Sequence, residues 1–207
     1  MCGIIALLNN KTTFNKDLIK CAFDKLNSRG PEDSKEIYYN DKLYLGFKRL
    51  AINGLNEASN QPINVKGITL ICNGEIYNYK VLYSELYGGY DVTPETDSDC
   101  EVIIHLYILF GIRQTLRLLD GVFSFVLYDC RCGTEDAKVF VARDPFGVRP
   151  LFVFERDSMN DNLVNHINSK NITRENIIGF ASEIKALHPF LCDGTPLVWN
   201  NSYTELH

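Results

Sequence analysis

The sequence predicts an α+β domain in which two antiparallel sheets pack together with helices on the outside. Eight or nine apolar runs of strand length outnumber two main helical patterns. The runs are clustered, whereas a doubly wound parallel sheet would alternate them one for one with helices. A chain of 207 residues, 45% of them hydrophobic, is long enough to bury one large core and still keep a cleft.

The elements follow in order. IIALL begins a fully apolar strand. From Asn15, an N-cap residue type, Leu18, Ile19, Ala22, Phe23 and Leu26 recur at helical spacing until Gly30 and Pro31 stop them. KEIYYN and LYLGFKRLAI read as a hairpin joined through Asn40 and Asp41. GITLICNG reads as a strand running straight into a glycine turn. ETDSDCEVIIHLYILFG is helical, with Asp97, Ser98 or Asp99 as its cap and Gly111 as its stop. After Gly121 come VFSFVLYD, KVFVARD, PLFVFER and IIGFAS as strands, and then SEIKALHP as a short helix. Residues 157–175 are polar and weakly periodic, the pattern of a surface insertion between two strands. The domain is expected to span 1–190, with 191–207 a loosely held tail that could begin a link to a further domain.

Composition narrows the function. With 21 basic and 26 acidic residues the net charge is −5, which favours neither nucleic acid nor an anionic membrane as partner. The seven cysteines (Cys2, Cys21, Cys72, Cys100, Cys130, Cys132 and Cys192) are irregularly spaced and read as free thiols of a reducing compartment. No basic stretch precedes the short apolar start, and position 2 is not the glycine that myristoylation needs. The longest apolar run, VIIHLYILF, is too short to span a bilayer. The expectation is a cytoplasmic protein.

Three constellations could carry chemistry. Cys2 follows the initiator methionine directly, and a small residue there normally permits removal of Met1. That would give Cys2 a free α-amine able to take the thiol proton and later return it to a leaving group. An ordinary buried thiol on a core strand is the simpler explanation of the residue alone. NGEIYNY, at the end of a strand, places the Asn73 amide and the Gly74 N–H where an oxyanion hole needs two donors, although Asn-Gly is equally a hairpin signal. Arg49 interrupts an apolar strand, where a guanidinium should seek a carboxylate, and Asp99 sits at a helix start. Together they could grip the two charged ends of a free α-amino acid; separately they read as an edge residue and a cap.

The ordered pieces MCG, RGPEDS, NGEIYNY, TDSDCEVI, ARDPFGVRPLF and ASEIKAL resemble the class II glutamine amidotransferases, which are N-terminal nucleophile hydrolases. The wording is most similar to the glutaminase domain of glutamine-hydrolysing asparagine synthetases, from Met1 to about Leu187. The resemblance implies a four-layer αββα sandwich. It also implies roles: Cys2 as nucleophile with its own amine as base, and Asn73 and Gly74 as oxyanion donors. Arg49 would hold the glutamine α-carboxylate and Asp99 the α-ammonium. Glu75 would help with the amine, the backbone of Leu50, Ala51, Ile52 and Asn53 would line the pocket, and Arg29 of the RGP triplet would order the site. L-Glutamine is the implied substrate. No metal or cofactor is implied for this domain, since ATP and magnesium belong to a synthetase domain or subunit that consumes the ammonia.

Two departures stand out. Where the family continues Arg-Leu with Ser-Ile-Val-Asp or similar, this chain has Ala51, Ile52, Asn53 and Gly54, and Gly54 is expected to loosen the pocket wall. The pyrophosphate-binding SGGxDS loop of the synthetase half is not in this sequence. Two other functions fit the same residues: a non-catalytic, partner-binding module of this fold, or a hydrolase of another γ-glutamyl amide. Cys130-Arg131-Cys132 is a single C-x-C pair without a second pair, weak support for zinc. The four histidines are scattered, and neither Ser124 nor Ser182 has a nucleophile-elbow context.

Overall fold

The computed structural model describes residues 1–40, 42–156 and 176–191, together with the backbone of Thr204–Leu206. Two five-stranded antiparallel sheets stack face to face, and helices cover both outer faces. In the first sheet the order is β2 (Asp33–Tyr39), β3 (Leu43–Arg49), β1 (Gly3–Leu8), β9 (Ile177–Ala181), β8 (Phe152–Arg156). In the second it is β10 (Thr204–Leu206), β7 (Lys138–Arg143), β6 (Gly121–Asp129), β5 (Ile68–Ile76), β4 (Ile63–Val65).

Side-chain alternation along β1 explains the layers. Ile4, Ala6 and Leu8 point between the sheets, where they meet Leu43, Leu45 and Phe47 of their own sheet and Ile71, Val126 and Val141 of the other. Ile5 and Leu7 point outward and pack on Ile19, Ala22 and Phe23 of α1 (Lys16–Asp24) and on Ala186 and Leu187 of α4 (Ile184–Leu187). A strand buried on both faces has no polar alternation, which is why IIALL carries none. On the far side, Leu70, Cys72 and Ile76 pack on Leu82 and Leu86 of α2 (Tyr79–Tyr90) and on Val102, Ile103 and Leu106 of α3 (Val102–Leu118). The four-layer sandwich expected from the sequence is the observed architecture.

Several elements differ from expectation. Asn73-Gly74 is not a turn: β5 runs through both residues to Ile76, paired residue for residue with β6 from Ile68↔Asp129 to Ile76↔Gly121. A Cβ on Gly74 would lie 2.4 Å from the Val122 carbonyl oxygen, so this strand position has room only for glycine. The hairpin signal lies upstream instead, where Lys66 and Gly67, both at positive φ, join β4 to β5. Helix α2 was not read from the sequence. Its aromatic, glycine-containing segment lacks a cap signal, because the Asn78 side chain turns to Leu118 O (2.9 Å) and Asp120 N–H (3.1 Å). Gly111 interrupts α3 at φ 74° but does not end it, and Thr115 Oγ1 bonds the Gly111 carbonyl at 2.9 Å as the helix resumes.

Asn15 caps α1 as expected, its carboxamide oxygen accepting the Leu18 N–H at 2.8 Å. Residues 157–175 lie outside the described residues; their flanks, β8 and β9, are neighbours paired out to Arg156↔Ile177. Most of the 191–207 segment also lies outside them, but Thr204–Leu206 adds a strand to the edge of β7.

Candidate active site

Cys2 is fixed by its neighbours on both sides. Cys2 immediately precedes β1, the middle strand of its sheet, and packs against the layer between the two sheets. Arg29 Nε, from the turn after α1, donates to the Cys2 carbonyl at 2.8 Å, while Ile4 N–H donates to Ser182 Oγ, just past the end of β9, at 3.0 Å, so this end is held from both sides. Gly30 makes the approach of Arg29 feasible, since a Cβ there would sit 2.3 Å from the Lys48 carbonyl. The Cys2 thiol exchanges two contacts with Leu50, accepting its N–H and reaching its carbonyl, each at 3.4 Å. Burial pushes the thiol above its ordinary value; the Leu50 bond, the terminal amine and Arg49 pull it back.

Across the gap lies β5. Along a strand, alternate N–H groups point to the same side. On the β5 edge past the short β4, the Cys72 N–H is taken by Gln61 Oε1 and the Ile76 N–H by Asp99 Oδ2 at 2.7 Å. The Gly74 N–H points to that same edge, between them. Asn73 is 1% exposed, and its carboxamide Nδ2 is buried with no hydrogen-bond partner among the described residues. An orphaned buried donor is costly unless something else answers it.

The same cleft is lined by Cys2, Asn73, Gly74, Arg49 and Asp99, and also by Leu50, Ile52, Asn53 and Glu75. Of the residues expected from the sequence, only Ala51 stays outside; its N–H turns to Glu32 Oε2 at 2.8 Å. Arg49 is 8% exposed and therefore no surface edge residue. Among the described residues its guanidinium meets no carboxylate but holds the carbonyls of Gly54 and of Asn56 (3.2 Å). Gly54 at φ 59° is thereby pinned, with Ser59 close beneath it, so it ties the wall down instead of loosening it.

Asp99 is not the helix cap. Ser98 caps, accepting the Cys100 N–H at 3.3 Å, which leaves the Asp99 carboxylate free to turn to β5. Burial raises the Asp99 carboxyl and the nearby Glu75 charge adds to it, opposed by hydrogen bonds from Ile76 N–H and Asn53. Two carboxylates thus line the cleft, and the burial cost of one of them is only partly offset. Sequence reasoning missed Gln61 and Arg149, which also line the cleft. Arg149 belongs to the ARDPFGVRPLF run; Asp144 folds that turn by accepting the N–H groups of Val148 (2.9 Å) and Arg149 (3.0 Å). Gln61 carried no local signal, because its role is to brace a strand eleven residues away.

Among the described residues, no group of three His, Cys, Asp or Glu side chains is placed to hold a metal ion. None of their helices is long and apolar enough to cross a membrane.

Comparison with known proteins adds the family context. A family model described as a glutamine amidotransferase domain matches residues 1–197. A probable glutamine-hydrolysing asparagine synthetase of Acanthamoeba polyphaga mimivirus is 36% identical over 194 residues, covering 91% of this chain and 31% of its own length. The glutamine-hydrolysing asparagine synthetase of Gallus gallus is 37% identical over 192 residues, covering 90% of this chain and 29% of its own. This chain thus spans about a third of the curated relatives it matches. The solved glutamine phosphoribosylpyrophosphate amidotransferase of Bacillus subtilis superposes with a TM-score of 0.68 over 99% of this chain and 44% of its own, at 19% identity, which speaks to the fold alone.

Proposed function

The chain belongs to the glutamine amidotransferase domain family, and on that premise we propose that it hydrolyses the side-chain amide of L-glutamine through a Cys2 thioester. After removal of Met1, the Cys2 amine takes the thiol proton and the thiolate attacks the δ-carbon of glutamine. Asn73 Nδ2 and the Gly74 N–H receive the oxyanion. The protonated amine returns its proton to departing ammonia, and water then cleaves the γ-glutamyl thioester to glutamate.

The observation that carries this reading is the buried, unpartnered Asn73 amide in the cleft that also holds Cys2. Asp99 and Glu75 suit the substrate ammonium, and Arg49 its carboxylate. The ammonia would serve asparagine synthesis by an ATP-dependent synthetase domain or partner. The similar asparagine synthetases, each about three times the matched length, support that assignment.

The test is a glutaminase assay on the purified chain with mass spectrometry of its N-terminus. Glutamate should be released by protein lacking Met1, and Cys2→Ala should release none. Active protein that retains Met1 would sink the amine-base mechanism, and wild-type turnover by Cys2→Ala would sink the nucleophile.

A further inference from the structure

Asp99 reaches the cleft at the end of an irregular strap, residues 95–98, that has no strand partner among the described residues. What holds the strap is the buried carboxylate of Glu101, two residues past Asp99. Glu101 Oε1 accepts the Glu95 N–H at 2.7 Å and Oε2 accepts the Thr96 N–H at 2.6 Å. One helical turn on, His105 Nε2 lies 2.8 Å from Oε1, and the ring of Tyr83 packs edge-on against that imidazole. Glu101 itself is 0% exposed and does not line the cleft.

The geometry points to Glu101 as a positioning residue for substrate selection: it clamps the strap so that Asp99 presents its carboxylate to the α-ammonium of glutamine. This rests on the reading of Asp99 given above. Burial alone would raise the Glu101 carboxyl, but the bonds from His105, Glu95 and Thr96 outweigh it and keep it below the ordinary carboxylate value. A charged acceptor makes the stronger hydrogen bonds, and here two converging backbone donors require two acceptor oxygens. The hold is passed on: Ser98 N–H donates to Thr96 Oγ1 at 3.1 Å and Asp97 N–H to Ser59 Oγ at 3.0 Å, which fixes the strap on both sides just before Asp99. An amide at position 101 would turn its NH2 group towards one of the two N–H donors.

The test compares L-glutamine with 4-carbamoylbutanoate, the same molecule without its α-amine. Glu101→Gln should raise KM for glutamine by about tenfold or more, the scale of one charged hydrogen bond, with kcat little changed. Its kcat/KM for 4-carbamoylbutanoate should stay within about twofold of wild type, because that compound offers nothing for Asp99 to hold. An equal fall for both substrates would make Glu101 merely structural, and no change for either would remove its role. Hydrogen exchange on the wild-type chain stands independently of any variant's folding: the Glu95 and Thr96 amides should exchange far more slowly than those of Val92 and Thr93. Fast exchange there overturns the clamp. If wild type fails to prefer glutamine over 4-carbamoylbutanoate, the Asp99 reading fails instead, while the exchange result still decides whether Glu101 holds the strap.

Discussion

Asn73 and Asp99 are both buried polar residues at 1% and 4% exposure, yet they carry opposite kinds of unmet demand. The Asn73 amide lacks an acceptor, so Asn73→Ala should lower kcat by about 10²–10³ with little change in KM, as expected when a donor acts chiefly on the transition state. Steady-state kinetics on glutamine would show the split, and an effect on KM alone would refute it. The Asp99 carboxyl is raised from its ordinary 3.8, chiefly by burial. A raised folded-state value means that the folded chain holds a proton over a window where the unfolded chain does not. The associated stability is present in full at low pH and is lost as pH rises through the folded-state value. At neutral pH the ionised carboxylate therefore weighs against the fold. Asp99→Asn should melt no lower than wild type at pH 7.5 while raising KM for glutamine about tenfold or more. In the wild type, KM should climb as pH falls into the window above 3.8, where Asp99 loses its charge.

Among the elements, α3 shows how a broken rule can be harmless. Gly111 sits at φ 74° and ψ 167°, a backbone region that is essentially glycine's alone, so Gly111→Ala should cost about 1–3 kcal/mol of stability. Denaturant melts should register that loss while turnover stays put. The strands were legible in the sequence because their burial is written in apolar runs, and the cleft residues because Cys2 follows Met1, Arg49 interrupts an apolar strand, Asn73-Gly74 ends one and Asp99 opens a helix, all within motifs that resemble a known family. Helix α2 was not legible: its stability comes from Leu82 and Leu86 against α3, not from caps or propensity. For the same reason Asn73-Gly74 looked like a turn, since only the closeness of Val122 and Phe123 explains a glycine in mid-strand. The direction of Arg49 towards the Gly54 and Asn56 carbonyls likewise depends on a loop conformation that residue types do not encode.

At the scale of the whole molecule, the sandwich joins its cleft from both sheets, while the 157–175 segment departs from and returns to one paired end of β8 and β9. Replacing residues 157–175 with a Ser-Gly-Gly link should therefore leave the melting temperature within a few degrees and glutaminase activity within about twofold. A large loss of activity would give that segment a part in the reaction. The central place of β1 has a further consequence, which concerns timing. Its partners are β3 and β9, and the Ile4 N–H waits for Ser182, 178 residues downstream. Strand β1 thus completes its sheet only after β9 has been synthesised. In a nascent chain that sheet stays unfinished until synthesis of the domain is nearly done, so glutaminase activity should appear only once β9 has been made.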